Sequence, residues 1–316
     1  MNAALPAPLA AALDALLDGA SRRDLASRAA RQSAEYRGGG TSAAIAGAAD
    51  ALAYAVARMP ATYAAVRAVL ARVAEAAPDF APSSLLDVGA GPGTASWAAL
   101  DAWPGIARIT MLERNAAFRM LASKLAGDFS DIEILAGDIG GAMPKADLVV
   151  ASYVLAELPE ERAAAVAAHL WQGARMLVLV EPGTPTGFAR IRAARAALIA
   201  AGAHVAAPCT HDNACPLSDG DWCHFSQRLP RSRDHMRAKD AHVPFEDERY
   251  SYLAVSRAPV AKGARILSPP LEEKPGLAFK LCDSSGLSAR FVPRRDKESY
   301  RQARRLDWGD LMHGPI

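Results

Sequence analysis

The sequence is poor in several features, and each shortage excludes something. Its 316 residues contain no run of about 18 or more uncharged apolar residues, so no membrane-spanning helix is expected. The Ala- and Leu-rich start has no basic segment ahead of it, and Asp14 and Asp18 interrupt it. Leu5, Leu9, Leu13, Leu16 and Leu17 recur there at helical spacing, which points to an amphipathic helix and away from a secretion signal. A cytoplasmic protein with no membrane partner is therefore expected. Aromatic residues make up only 6% of the chain, and the four cysteines all lie beyond residue 208. There are no internal repeats, and no low-complexity tract beyond a bias towards alanine.

The net charge is only +2, which excludes a uniformly basic or acidic protein but hides an asymmetry. One later stretch holds Arg228, Arg231, Arg233, Arg237 and Lys239. Another holds Arg290, Arg294, Arg295, Lys297, Arg301, Arg304 and Arg305. Clustered cations beside a folded domain suggest a polyanion such as RNA. A solvated, arginine-rich surface accounts for them equally well.

Residues 1 to about 80 read as helices, broken at Gly38-Gly39-Gly40, with Pro60 starting a new helix in its first turn. From residue 84 the period changes. Short apolar strands are expected at 84–88, 109–113, 132–135, 147–151 and 175–180, separated by helices at 94–100, 116–125 and 160–171. A further helix is expected at 188–201. Alternating strands and helices imply a parallel, doubly wound sheet. Beyond residue 205 the regularity fails, although Tyr250–Ser256 reads as one more strand of the sheet.

The first strand runs into Asp87-Val88-Gly89-Ala90-Gly91-Pro92-Gly93. Glycines at such a turn let the backbone bend sharply while a ligand lies against it. A dinucleotide fingerprint requires G-x-G-x-x-G, whereas the third glycine here comes one residue early. Asp87 ahead of the loop would repel a pyrophosphate but can hold the amino group of a methionine moiety. The loop thus favours S-adenosylmethionine over a nicotinamide cofactor. Glu113, ending the second strand, can accept both ribose hydroxyls, and Asp138, after the third, can accept from the adenine amino group. Cofactor-binding candidates are therefore Asp87, Gly89, Gly91, Gly93, Glu113 and Asp138. After the fourth strand, Ser152, Tyr153 and Glu157 are polar candidates for catalysis. The Asp/Asn-Pro-Pro-aromatic pattern of amino-group methylases is absent, so no catalytic group is identified.

Cys209, Cys215 and Cys223 fall within fifteen residues, and Cys282 follows at a distance. Clustered thiols in a cytoplasmic protein suggest a metal and argue against disulfides. The C-x5-C-x7-C spacing lacks the tight C-x2-C knuckles of structural zinc sites, and Cys215 is followed by proline as in some iron–sulfur loops. The spacing favours a [4Fe-4S] cluster. Zinc, with His211 or His224 as alternative ligands, and plain free thiols are the other readings. With all four cysteines bound, none is left as a nucleophile for C5-pyrimidine methylation.

These segments together resemble a known family. Leu85–Thr94, Tyr153–Leu158, Val180–Pro185, Arg58–Tyr63, Asp221–Arg228, Phe245–Tyr252 and Tyr300–Asp310 are similar to the bacterial and mitochondrial methyltransferases associated with the small ribosomal subunit, over roughly residues 45 to 310. The resemblance implies a Rossmann-like class I S-adenosylmethionine-dependent methyltransferase fold of the α/β class, with N-terminal helices and a C-terminal cysteine-rich, basic module. It implies association with the small ribosomal subunit and its rRNA, not with DNA, and iron–sulfur ligation by Cys209, Cys215, Cys223 and Cys282. The expected organisation is a helical region at 1–80, a methyltransferase core at 81–204 and 245–258, and a metal-cluster and RNA-binding module at 205–244 and 259–316.

Overall fold

The computed structural model describes residues 3–127, 131–260 and 263–313. Four helices come first: α1 (Ala7–Leu17), α2 (Arg22–Arg37), α3 (Ala48–Ala57) and α4 (Met59–Ala76). The Ser21 side chain caps α2 by accepting from the Asp24 N–H, and the triple glycine follows its end. Pro60 sits in the first turn of α4, where its missing N–H costs nothing.

The alternating part follows as β1 (Ser84–Val88), α5 (Thr94–Ala102), β2 (Arg108–Glu113), α6 (Ala116–Ala126), β3 (Ile132–Ala136), β4 (Ala146–Ser152), α7 (Ala163–Trp171), β5 (Ala174–Pro182), α8 (Pro185–Ala200) and β6 (His204–Ala207). The helix expected from residue 160 opens with a 3-10 turn at Glu160–Arg162 before α7 begins. Then come β7 (Phe225–Pro230), α9 (Arg233–Ala238) and β8 (Phe245–Ser256). The sheet order is β3-β2-β1-β4-β5-β8-β6, with β7 also pairing β8. β1 to β5 are mutually parallel, while β8 runs antiparallel to β5, β6 and β7.

Strand periodicity divides the core. Leu85, Met111, Leu148, Val150 and Val178 share one buried cluster with Val56, Tyr63, Val66 and Leu70 of α3 and α4. Their neighbours Leu86, Leu112, Val149, Leu177 and Leu179 share a second with Val166 and Leu170 of α7 and Ile191 and Leu198 of α8. Both faces of a parallel sheet are thus covered, which is why its strands are apolar throughout.

The remainder forms a smaller sheet from β9 (Ala264–Ile266), β10 (Leu271–Glu273), β11 (Gly276–Asp283) and β12 (Gly286–Pro293), followed by α10 (Lys297–Ala303) and β13 (Leu311–Met312). Its own core holds Ile266, Leu277, Phe279, Leu281, Val292 and Ala303. The boundary expected at 245 separates β7 from β8, whereas pairing from Phe225↔Tyr250 to Pro230↔Phe245 joins them in the main sheet. β7 reads as irregular in sequence because two of its six residues are buried hydrophobics, Phe225 and Leu229, among polar neighbours.

Candidate functional site

In the order β3-β2-β1-β4-β5 the chain reverses direction across the sheet between β1 and β4. A crevice opens there beyond the carboxyl ends of the strands. The glycine loop lies at this point. Gly89, Gly91 and Gly93 all have left-handed φ, at 66°, 55° and 83°. They serve different ends. A Cβ on Gly89 would stand 2.6 Å from Val154 Cγ2, so that glycine permits close packing. A Cβ on Gly91 would meet nothing within 4 Å, so that backbone faces open space.

Glu113 closes on the loop from β2. Its Oε2 accepts from the Gly91 N–H at 2.8 Å and its Oε1 from the Asn115 N–H at 2.7 Å. Asp138 stands exposed on the rim, with Oδ1 accepting from the Ile139 N–H. Gly89, Gly91, Glu113, Asp138, Ser152, Tyr153 and Glu157 all line one cleft.

Asp87 and Gly93 do not line the cleft. Asp87 is fully buried in β1, and its Oδ2 accepts from the Ser96 N–H at 3.0 Å and the Ser96 hydroxyl at 2.8 Å. It thereby ties the loop to the start of α5. Its Oδ1 is buried without a partner. Burial pushes its carboxyl up to about 7, against the pull of the Ser96 bonds.

Tyr153 and Glu157 are both engaged. Tyr153 has a φ of 60°, which is rare and strained for a bulky residue. Its hydroxyl donates to Glu248 Oε1 at 2.8 Å, and Arg58 Nη2 reaches the same oxygen at 3.3 Å. Glu157 accepts from the Ser42 N–H at 3.0 Å and the Ser42 hydroxyl at 2.7 Å. Asn115, which caps α6, also donates to the carbonyls of Ser42 and Ile45. The segment between α2 and α3 is therefore latched across the cleft mouth.

Sequence reasoning missed these contributions of the N-terminal helices. Tyr36, Ser42 and Tyr54 line the cleft with Phe118 of α6. In sequence Tyr54 shows only as part of a helical period. A second space adjoins the first and shares Tyr36, Tyr54, Tyr153 and Glu157 with it. Arg37, Arg58, Arg237 and Lys239 bring cations to it.

The cysteines come together elsewhere. Cys209, Cys215 and Cys223 lie on the connection from β6 to β7, and Cys282 lies on β11 of the smaller sheet. All four line one cavity between α8, the main sheet and β9. None is in a disulfide. Burial raises the thiols of Cys209 and Cys223, and lifts that of Cys282 to about 12. His211 Nε2 lies 3.5 Å from Cys282 Sγ. His224 is held differently, stacked on Trp222 at 5.4 Å and edge-on to Trp308 at 5.1 Å. The Asp221–Arg228 and Tyr300–Asp310 segments thus meet through His224 and Trp308. Among the described residues no group of three or more His, Cys, Asp or Glu side chains is arranged to hold a metal ion.

The two basic stretches differ. In the first, Arg228 pairs with Asp247, and Arg231 and Lys239 both pair with Glu246. In the second, Arg294 pairs with Glu272. Arg295, Lys297, Arg301, Arg304 and Arg305 are exposed, and no ion pair to them occurs among the described residues.

Strand order and cleft define a Rossmann-like α/β protein with a nucleotide-type crevice at its switch point. Residues 48–313 match the family model described as mitochondrial small ribosomal subunit Rsm22, and the chain belongs to that family. It is 31% identical to the human mitochondrial ribosome assembly protein METTL17, over 83% of this chain and 62% of that protein. It is 27% identical to the mitochondrial Rsm22-cox11 tandem protein 2 of Schizosaccharomyces pombe, over 83% of this chain and 43% of that one. The chain thus spans less than two thirds of either relative. A looser likeness links it to magnesium protoporphyrin IX methyltransferase from Synechocystis PCC 6803 with bound SAM, at 17% identity and a TM-score of 0.42, over 63% of this chain and 80% of that one. Among the described residues no helix is long and apolar enough to cross a membrane.

Proposed function

We propose that this chain binds S-adenosylmethionine in the switch-point cleft and works as an rRNA methyltransferase on or with the small ribosomal subunit. The observation that carries this reading is the convergence of Gly89, Gly91, Glu113 and Asp138 on one cleft. The open space before Gly91 leaves room for a ligand against the backbone. Glu113 would accept from ribose hydroxyls and Asp138 from the adenine amino group. Asp87 would hold the loop from beneath through its bonds to Ser96. The bound cofactor supplies an electrophilic methyl group. What the chain itself contributes is positioning: the latched segment from α2 to α3 and the tied Tyr153 would exclude water and align an acceptor entering from the adjoining space.

The exposed cations around α10 support rRNA as partner, because charges not already paired are the ones available to phosphates. We further propose that Cys209, Cys215, Cys223 and Cys282 hold a [4Fe-4S] cluster. Four thiols around one cavity, none of them in a disulfide, supply the donor set, and they suit a reducing compartment such as the cytoplasm. Incubation with methyl-labelled cofactor and immature small subunits tests the first reading. Label in rRNA is expected, and its absence across conditions would sink catalysis.

One observation favours a second reading, a non-catalytic assembly factor that uses the fold as an RNA-binding platform. Tyr153, Glu157 and both oxygens of Glu113 are already engaged within the protein. This reading expects Gly91→Arg to abolish cofactor binding and leave subunit binding intact.

A further inference from the structure

The cavity around the four thiols contains two cations that no acid balances. Arg195 of α8 is 5% exposed and Arg265 of β9 is 1% exposed. Both line the cavity with the cysteines, and no Asp or Glu does. Neither forms an ion pair among the described residues. Each is anchored to carbonyls. Arg195 Nη2 donates to His211 O at 2.7 Å. Arg265 donates from Nε to Pro208 O at 2.8 Å and from Nη1 to Gly309 O at 2.7 Å. Each also keeps one buried nitrogen with no partner, Nε of Arg195 and Nη2 of Arg265. A buried guanidinium without a counter-ion is costly, so the arrangement lacks an anion.

We propose that Arg195 and Arg265 are the built-in counter-ions of a doubly anionic four-thiolate centre. The inference rests on the four-cysteine reading above. Four thiolates around a doubly positive core, iron–sulfur or zinc, carry two net negative charges, and the two guanidiniums cancel them. Their unpaired nitrogens would donate towards the sulfurs, the outer-shell contact that orients metal ligands. Arg265 also ties the smaller sheet to the main one, since it reaches from β9 to the Pro208 carbonyl that follows β6. The centre would thus be assembled only when both sheets are in place.

The test is the thermal stability of the full-length protein, purified anaerobically and then stripped with a chelator. Wild type is compared with Arg195→Met, Arg195→Gln and Arg265→Lys. Loading should raise the Tm of wild type and of the charge-preserving Arg265→Lys. In Arg195→Met at least half of that rise should be lost, while its stripped form is no less stable than stripped wild type. Loss of the His211 carbonyl bond affects both forms and cancels in the loaded-minus-stripped difference. Should Arg195→Met not fold, Arg195→Gln, which keeps a donor, carries the same comparison. An equal rise in wild type and the neutral variants overturns the counter-ion inference alone. Wild type containing neither iron with sulfide nor zinc overturns the four-cysteine reading itself.

Discussion

Asp87 gives the sharpest test of how the glycine loop is held. Its carboxyl is fully buried and sits at about 7, well above the usual 3.8. An acid raised on folding prefers its neutral form in the fold, so its contribution is fully present below the unfolded pKa and is lost as pH rises through about 7. At 1.36 kcal/mol per unit, the penalty on the wild type is about 1.5 kcal/mol at pH 5 and about 4 kcal/mol at pH 8. Asp87→Asn keeps an oxygen to accept from the Ser96 N–H and hydroxyl and removes the charge. The variant should therefore gain stability relative to wild type as pH rises, by about 2–3 kcal/mol between pH 5 and 8. Denaturant unfolding of both proteins across this range measures the difference. Glu181, also buried and pushed up to about 8, titrates in both proteins and drops out of the comparison. A constant difference, or one that shrinks with pH, refutes the reasoning.

Other expectations follow from the same geometry. Gly91→Ala should fold, at a cost of about 1–2 kcal/mol for its left-handed φ, and lose at least tenfold in cofactor affinity by calorimetry. Gly89→Ala, which forces a Cβ against Val154, should be the less stable of the two in thermal unfolding. Tyr153→Phe removes a donor from the buried Glu248 and should cost about 1.5–3 kcal/mol in unfolding free energy. Ser42→Ala releases one of the two bonds to Glu157 and should speed proteolytic cleavage at Gly38–Gly40, and saturating cofactor should slow it again. Cys223→Ser should abolish bound metal and lower the Tm of anaerobic protein, because metal binding and local folding are coupled.

The sequence by itself determined the order of elements and the chemistry available to them. Short, continuously apolar strands alternating with helices pointed to a parallel sheet covered on both faces, and the early third glycine with Glu113 and Asp138 was local enough to mark a ligand loop. The tertiary structure alone decided which of those groups face the ligand. Asp87, adjacent to the loop in sequence, lies beneath it and is bonded to Ser96, because alternation in β1 turns it inwards. Glu157, legible as a polar group after β4, proved to be held by Ser42 from 115 residues away. The N-terminal tyrosines of the cleft and the pairing of β7 with β8 were equally illegible, since both depend on contacts distant in sequence. The clustering of three cysteines was visible at once. That Cys282 joins them was expected only from the family resemblance, and that Arg195 and Arg265 stand beside them without acids depends on elements of both sheets lining one cavity. Local pattern records what a segment can do, whereas burial and charge balance are properties of surfaces brought together from distant parts of the chain.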